Sequence, residues 1–121
     1  LVPDLILSST AKRARRTAEL VAEACGYENE IVFTRDLYHG APDDYIDSLN
    51  VIAGDEDVIM VVGHNPGMEE LLDVLTGESA YLTTANIAQV ALPIDGWRGL
   101  DEFMEGRLIN LWRPKDLGGK M

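Results

Sequence analysis

The sequence has 121 residues, 46% of them apolar, and a formal net charge of −11. That length fits one domain with a sizeable core. The charge argues against nucleic acid or an anionic membrane as partner, because both repel an acidic chain at long range, and no run of about 18 apolar residues offers a membrane span.

The opening residues, Leu1-Val2-Pro3-Asp4, lack the basic and apolar regions of a signal peptide. They also lack an initial Met, so the natural N-terminus is expected upstream. Leu5-Ile6-Leu7, after Pro3 and before Ser8-Ser9, predicts a short buried strand that ends in a polar loop. Ala14, Thr17, Ala18, Val21, Ala22 and Cys25 then recur at helical spacing, which predicts a helix over 11–25 stopped by Gly26. Cys25 stands alone, without CxxC or Cys/His metal spacing. It reads as a core residue in a reducing cytosol rather than as a nucleophile.

Ile31-Val32-Phe33 reads as an extended segment. Pro42, with Asp43 and Asp44 beside it, starts a second helix that buries Tyr45, Ile46, Leu49 and Ile52 and ends near Gly54. Val58-Ile59-Met60-Val61-Val62 is the strongest strand signal, apolar at every position as in a strand covered on both faces. Gly63-His64-Asn65-Pro66-Gly67 follows, then a third helix from about Met68 to Leu75, stopped at Gly77. Ile87-Ala88-Gln89-Val90-Ala91-Leu92 and Arg107-Leu108-Ile109-Asn110-Leu111-Trp112 read as two strands, paired antiparallel. Trp97 and Trp112 are expected to pack rather than to stack on substrate.

Strand-helix alternation followed by a hairpin predicts an α/β domain, with a mostly parallel central sheet flanked by helices and a C-terminal antiparallel strand pair. The domain is placed at residues 1–114 and a flexible tail at 115–121. Ligands of such sheets bind at the carboxyl ends of the strands, where the two loops Ser8-Ser9-Thr10 and Gly63-His64-Asn65-Pro66-Gly67 should stand. In the first loop a helix N-terminus favours anions, and Arg13, in the first helical turn, can aim a planar fork of donors back at the same point. Lys12, Arg15 and Arg16 read as a solvated face. In the second loop His64 sits on a rigid strand end with a helix start beside it, well placed to donate to an anion. Alone, each loop has an ordinary structural explanation, a capping Ser and a satisfied His; the argument lies in their meeting at one sheet edge.

The residues from Ser8 to Ala18, Ser-Ser-Thr-Ala-Lys-Arg-Ala-Arg-Arg-Thr-Ala, resemble the segment Ser-Ser-Pro-x-x-Arg-Ala-x-x-Thr-Ala of the histidine phosphatase superfamily. Val61-Val62-Gly63-His64-Asn65-Pro66-Gly67 resembles that superfamily's second histidine motif. Leu37-Tyr38-His39-Gly40-Ala41, the acidic helix start after it and the small size resemble the SixA-like phosphohistidine phosphatase branch. Thr10 stands where the family has Pro, which costs turn rigidity and no reactive group. The resemblance implies a phosphoglycerate-mutase-like fold and a metal-free, cofactor-free mechanism. A histidine attacks phosphorus, water releases phosphate, and two arginines with a second histidine hold the phosphoryl oxygens.

Carried over by motif, Arg13 and His64 are catalytic, Ser9, Arg13, His64 and Asn65 bind phosphate, and His39 is a rim residue. The implied function is hydrolysis of phosphohistidine on a partner protein, in the cytoplasm and in signal transduction. Phosphate or sulfate is an expected occupant of the site. The alternatives are a phosphomonoesterase for a small phosphorylated substrate and a non-catalytic phosphate-binding module. The family's Arg-His-Gly motif, which supplies the nucleophile and the other arginine, is absent from these 121 residues. A leading strand-loop-helix unit of roughly 30 residues is therefore expected in the native protein, and the present chain alone is expected to be inactive. Asp43, Asp44, Glu69 and Glu70 are weak candidates for a general acid, since each also suits a helix N-terminus.

Overall fold

The computed structural model describes residues 2–38, 40–78, 87–101 and 105–112. His39 and the tail 115–121, about which the sequence makes specific predictions, lie outside the described residues. Among the described residues five strands and three α-helices follow in the order β1 (Leu5–Ser9), α1 (Lys12–Cys25), β2 (Val32–Thr34), α2 (Pro42–Ile52), β3 (Ile59–Val62), α3 (Gly67–Thr76), β4 (Ile87–Ala91) and β5 (Arg107–Trp112). Short 3-10 turns occupy Arg35–Leu37 and Trp97–Gly99.

β1 is the centre of a parallel three-stranded sheet of order β2-β1-β3. Its register sets Leu7 against Val32 and Val61, and Ser8 against Phe33 and Val62. The period of two along a strand divides the apolar residues between two layers. Ile6, Met60 and Val62 meet α1 through Ala18 and Ala22, with Tyr27 beside them. Leu7, Ile59 and Val61 face the other way, onto Tyr45, Ile46 and Leu49 of α2 and Leu71 and Leu75 of α3. The buried residues of α1, Ala14, Ala18 and Ala22, form one stripe at intervals of four, which points them at the sheet. Cys25 is half-buried against the layer on the α1 side, so it packs as the sequence suggests.

The helix punctuation follows the residues. Gly26 and Gly77 close α1 and α3 in the left-handed conformation, with φ of 80° and 74°. Pro42 opens α2, and the Asp44 carboxylate accepts from the Ala41 N–H at 2.8 Å. β4 and β5 pair antiparallel with an irregularity between Gln89 and Val90. This ribbon is a separate sheet, tied to the end of α3 where the Gly106 N–H donates to the Leu75 carbonyl at 2.7 Å. The connection between them is fastened to α2 and to the loop after it: the Asn50 amide donates to the carbonyls of Trp97 and Leu100, and the Trp97 indole N–H to that of Glu56. Trp97 thus packs on the main core, as expected; the side chain of Trp112 lies outside the described residues.

One expectation differs. β3 is apolar throughout, yet all four of its residues are half-exposed, whereas β1 is buried along its whole length. The reason is topological: β3 ends the three-stranded sheet, and among the described residues no strand pairs with its outer edge.

Candidate active site

Because β1 and β3 are parallel and Ser8 aligns with Val62, the chain leaves both strands at the same carboxyl edge of the sheet. That places the Ser9-Thr10 turn beside the Gly63-His64 turn. The two are joined directly: His64 Nε2 and Ser9 Oγ share a hydrogen bond of 2.8 Å. Ser9 is fully buried, and its Oγ also accepts from the Ala11 N–H at 3.2 Å. Ser9 is therefore not the N-cap of α1, which is Ala11 without a side-chain cap. Its hydroxyl braces the turn from inside.

The other half of the His64 setting comes from α2. Tyr45 is fully buried, and its Oη accepts from the His64 backbone N–H at 3.1 Å. Burial pushes the Tyr45 phenol above its ordinary range; the hydrogen bond from His64 opposes this and the nearby Asp44 charge adds to it. A Cβ at Gly63 would run into the Tyr45 hydroxyl. One at Gly67 would run into the Gly40 carbonyl oxygen and lie 3.2 Å from Tyr45 Cε2. These two glycines are required by close approach rather than by backbone angle. The Asn65-Pro66 peptide is cis. The Tyr38 ring lies 5.6 Å from the His64 ring, tilted by 53°.

Beside His64 opens a cavity of about 220 Å³, lined by Gly40, Ala41, His64, Asn65, Pro66, Gly67 and Glu70. It is smaller than the roughly 300–1,000 Å³ typical of drug-sized ligands. Of the predicted phosphate-site residues, His64 and Asn65 form this wall. Ser9 stands behind His64, bonded to it. Arg13 lies on the exposed first turn of α1, which leaves the same sheet edge; it does not line this cavity. Of the acid candidates Glu70 reaches the cavity wall, and Asp43, Asp44 and Glu69 do not.

Sequence reasoning assigned Tyr45 only to the core and overlooked Tyr38. A tyrosine among Ile and Leu on a buried helix face was the available signal, since a buried phenol needs a hydrogen-bond partner. Arg15, read as solvated, has its guanidinium 4.1 Å from the centre of the Phe33 ring. Among the described residues no cluster of three or more His, Cys, Asp or Glu could hold a metal, and no helix is long and apolar enough to cross a membrane.

No protein-family model matches the chain. It is 34% identical over 105 residues to an uncharacterised chloroplastic protein of Arabidopsis thaliana, an alignment that takes in 79% of this chain. The chain spans about half, 48%, of the length of that curated relative. Among solved structures it is similar to a candidate phosphohistidine phosphatase SixA from Agrobacterium tumefaciens, with a TM-score of 0.72 and 31% identity over 93% of this chain and 68% of that one. It is also similar to a candidate phosphohistidine phosphatase SixA from Nakamurella multipartitia, with a TM-score of 0.77 and 20% identity over 93% of this chain and 71% of that one. The latter likeness carries the fold, which is phosphoglycerate-mutase-like as expected.

Proposed function

Since the chain belongs to the SixA-like branch of the histidine phosphatase superfamily, we propose that the whole protein is a phosphatase that removes the phosphoryl group from a phosphohistidine on a partner protein. The observation that carries this reading is the 2.8 Å bond between Ser9 and His64, which ties the turns after β1 and β3 into one unit at the carboxyl edge of the sheet. Similarity to the candidate phosphohistidine phosphatase from Agrobacterium tumefaciens supports the same chemistry.

In the proposed reaction a histidine from an Arg-His-Gly-type motif, outside these 121 residues, attacks phosphorus. The P–N bond of the substrate breaks as a P–N bond to that histidine forms, and the departing imidazole takes up a proton. Water then cleaves the enzyme's P–N bond and inorganic phosphate leaves. His64 and Arg13 donate to the phosphoryl oxygens and offset the charge that grows on them, while Asn65 completes the wall. His64 suits this role because it is held at both its backbone and its ring, so little reorganisation is needed when charge develops. No step calls for a metal or a cofactor. We place the protein in the cytoplasm, where the one cysteine of these 121 residues, Cys25, would stay reduced.

The test is phosphate release by the full-length protein from a protein phosphorylated on histidine. His64→Ala should cut kcat by roughly 100-fold or more, as loss of one preorganised donor does elsewhere. Arg13→Ala should damage turnover far more than Arg16→Ala. Phosphate release that survives His64→Ala, or equal effects of the two arginine changes, defeats the assignment.

A further inference from the structure

We propose that Tyr45 is a positioning residue whose buried hydroxyl fixes the backbone of His64 and thereby aims its imidazole. The proposal rests on the reading of His64 as a phosphate-site residue, but its geometry stands apart from any activity. Phenylalanine could fill the same core volume beside Ile46 and Leu49, so packing alone does not call for an oxygen there. The oxygen is used once among the described contacts, to accept the His64 N–H.

The turn is shaped around this phenol. Gly63 leaves no room for a Cβ because the Tyr45 Oη, Cε1 and Cζ fill it, and a Cβ added at Gly67, on the far side of the turn, would lie 3.2 Å from Tyr45 Cε2. His64 is thus gripped at two points: Tyr45 takes the backbone N–H and Ser9 takes Nε2. Releasing the first point frees the turn to shift while the ring stays tethered by the second, so the imidazole should change its tilt and surroundings rather than leave the site. A phenol is neutral at physiological pH even at its ordinary pKa of about 10, and burial raises the Tyr45 value further, so its oxygen remains a neutral acceptor there and adds no charge beside the phosphoryl group.

The experiment compares the full-length protein with its Tyr45→Phe variant by NMR titration of the His64 ring, alongside steady-state kinetics on phosphoramidate. The His64 titration midpoint should move, and kcat should fall about tenfold with KM within about twofold, the pattern of an interaction that matters most in the transition state. An unmoved His64 titration overturns the proposal, since a role in packing alone would lower thermal stability and leave the ring unchanged. If the wild type proves inactive on phosphoramidate and on protein phosphohistidine, the phosphatase reading fails and the ring titration still decides the positioning role. Should Tyr45→Phe not fold, Gly63→Ala, whose Cβ presses on the same hydroxyl, is read by the same titration, and no movement there overturns the proposal equally.

Discussion

Replacing Gly67 with alanine would test the packing of the turn that carries His64. The new methyl would sit against the Gly40 carbonyl oxygen, inside any normal contact distance, and 3.2 Å from the Tyr45 ring. Neither neighbour yields cheaply. Gly40 is itself hemmed in, with the Asp36 carbonyl oxygen 3.0 Å from where its own Cβ would be, and Tyr45 is fully buried. Overpacking of this kind costs about 1–3 kcal/mol. The opposing term is helix propensity, worth at most about 1 kcal/mol for Gly to Ala in a helix interior and less at the first position of α3, where Gly67 stands. Overpacking wins, and the net loss should be about 1–2 kcal/mol. Urea unfolding of the full-length protein should give a lower midpoint with an unchanged slope. Gly54→Ala is the control: its Cβ would meet only the flexible Glu56 carboxylate, 3.6 Å away, and should stay within about 0.5 kcal/mol of wild type. If Gly67→Ala matched that control, the close approach of the Gly40 and Gly67 backbones would be wrong.

Ser9→Ala strands the Ala11 N–H and removes the partner of His64 Nε2; it should cost about 1–3 kcal/mol by urea unfolding and lower kcat as well. A stability loss with unimpaired turnover would reduce Ser9 to a brace. Asp4→Ala removes the carboxylate that accepts from the N–H groups of Asp57 and Val58 and so aligns the starts of β1 and β3. The site is exposed, so roughly 0.5–1.5 kcal/mol is expected, measured as a shift in urea midpoint with no change in KM. Alkaline stability should report on Tyr45. Its pKa in the folded chain is raised, so the folded state holds the phenolic proton more tightly than the unfolded state does. The contribution is complete below the ordinary tyrosine pKa of about 10 and is lost as pH climbs through the higher folded value. Tyr45→Phe should flatten that decline above about pH 10; an equally steep decline in the variant would remove Tyr45 as its source.

Much of the architecture was legible because local signals agreed. Pro42 and Asp44 marked the start of α2, Gly26 and Gly77 the ends of α1 and α3, and continuous apolar runs marked β1 and β3. The helix boundary at Gly67 was missed by one residue: Pro66 is the N-cap of α3. Meeting of the two loops also followed from the sequence, since consecutive parallel strands deliver their carboxyl ends to one edge. What the sequence could not yield is the set of contacts across long separations. The grip of Tyr45 on His64 joins residues on different elements through one hydroxyl, and no periodicity distinguishes that tyrosine from an apolar neighbour. The cation-aromatic contact of Arg15 with Phe33 is invisible for the same reason. β3 misled in the opposite direction, because an all-apolar strand reports what it is suited to pack against and says nothing of whether the described chain supplies it.

Among the described residues no strand covers the outer edge of β3, and that has a consequence for handling the molecule. Its outer backbone donors and acceptors form a ready template for a further strand, and its side chains, Ile59 to Val62, are sticky rather than charged. Natural sheets blunt such a rim with lysine, proline or a bulge, and none of these devices occurs along Ile-Met-Val-Val. The 121-residue polypeptide expressed by itself should therefore oligomerise through this rim as its concentration rises, whereas a strand annealed there would turn the same residues from a liability into the middle of a continuous sheet.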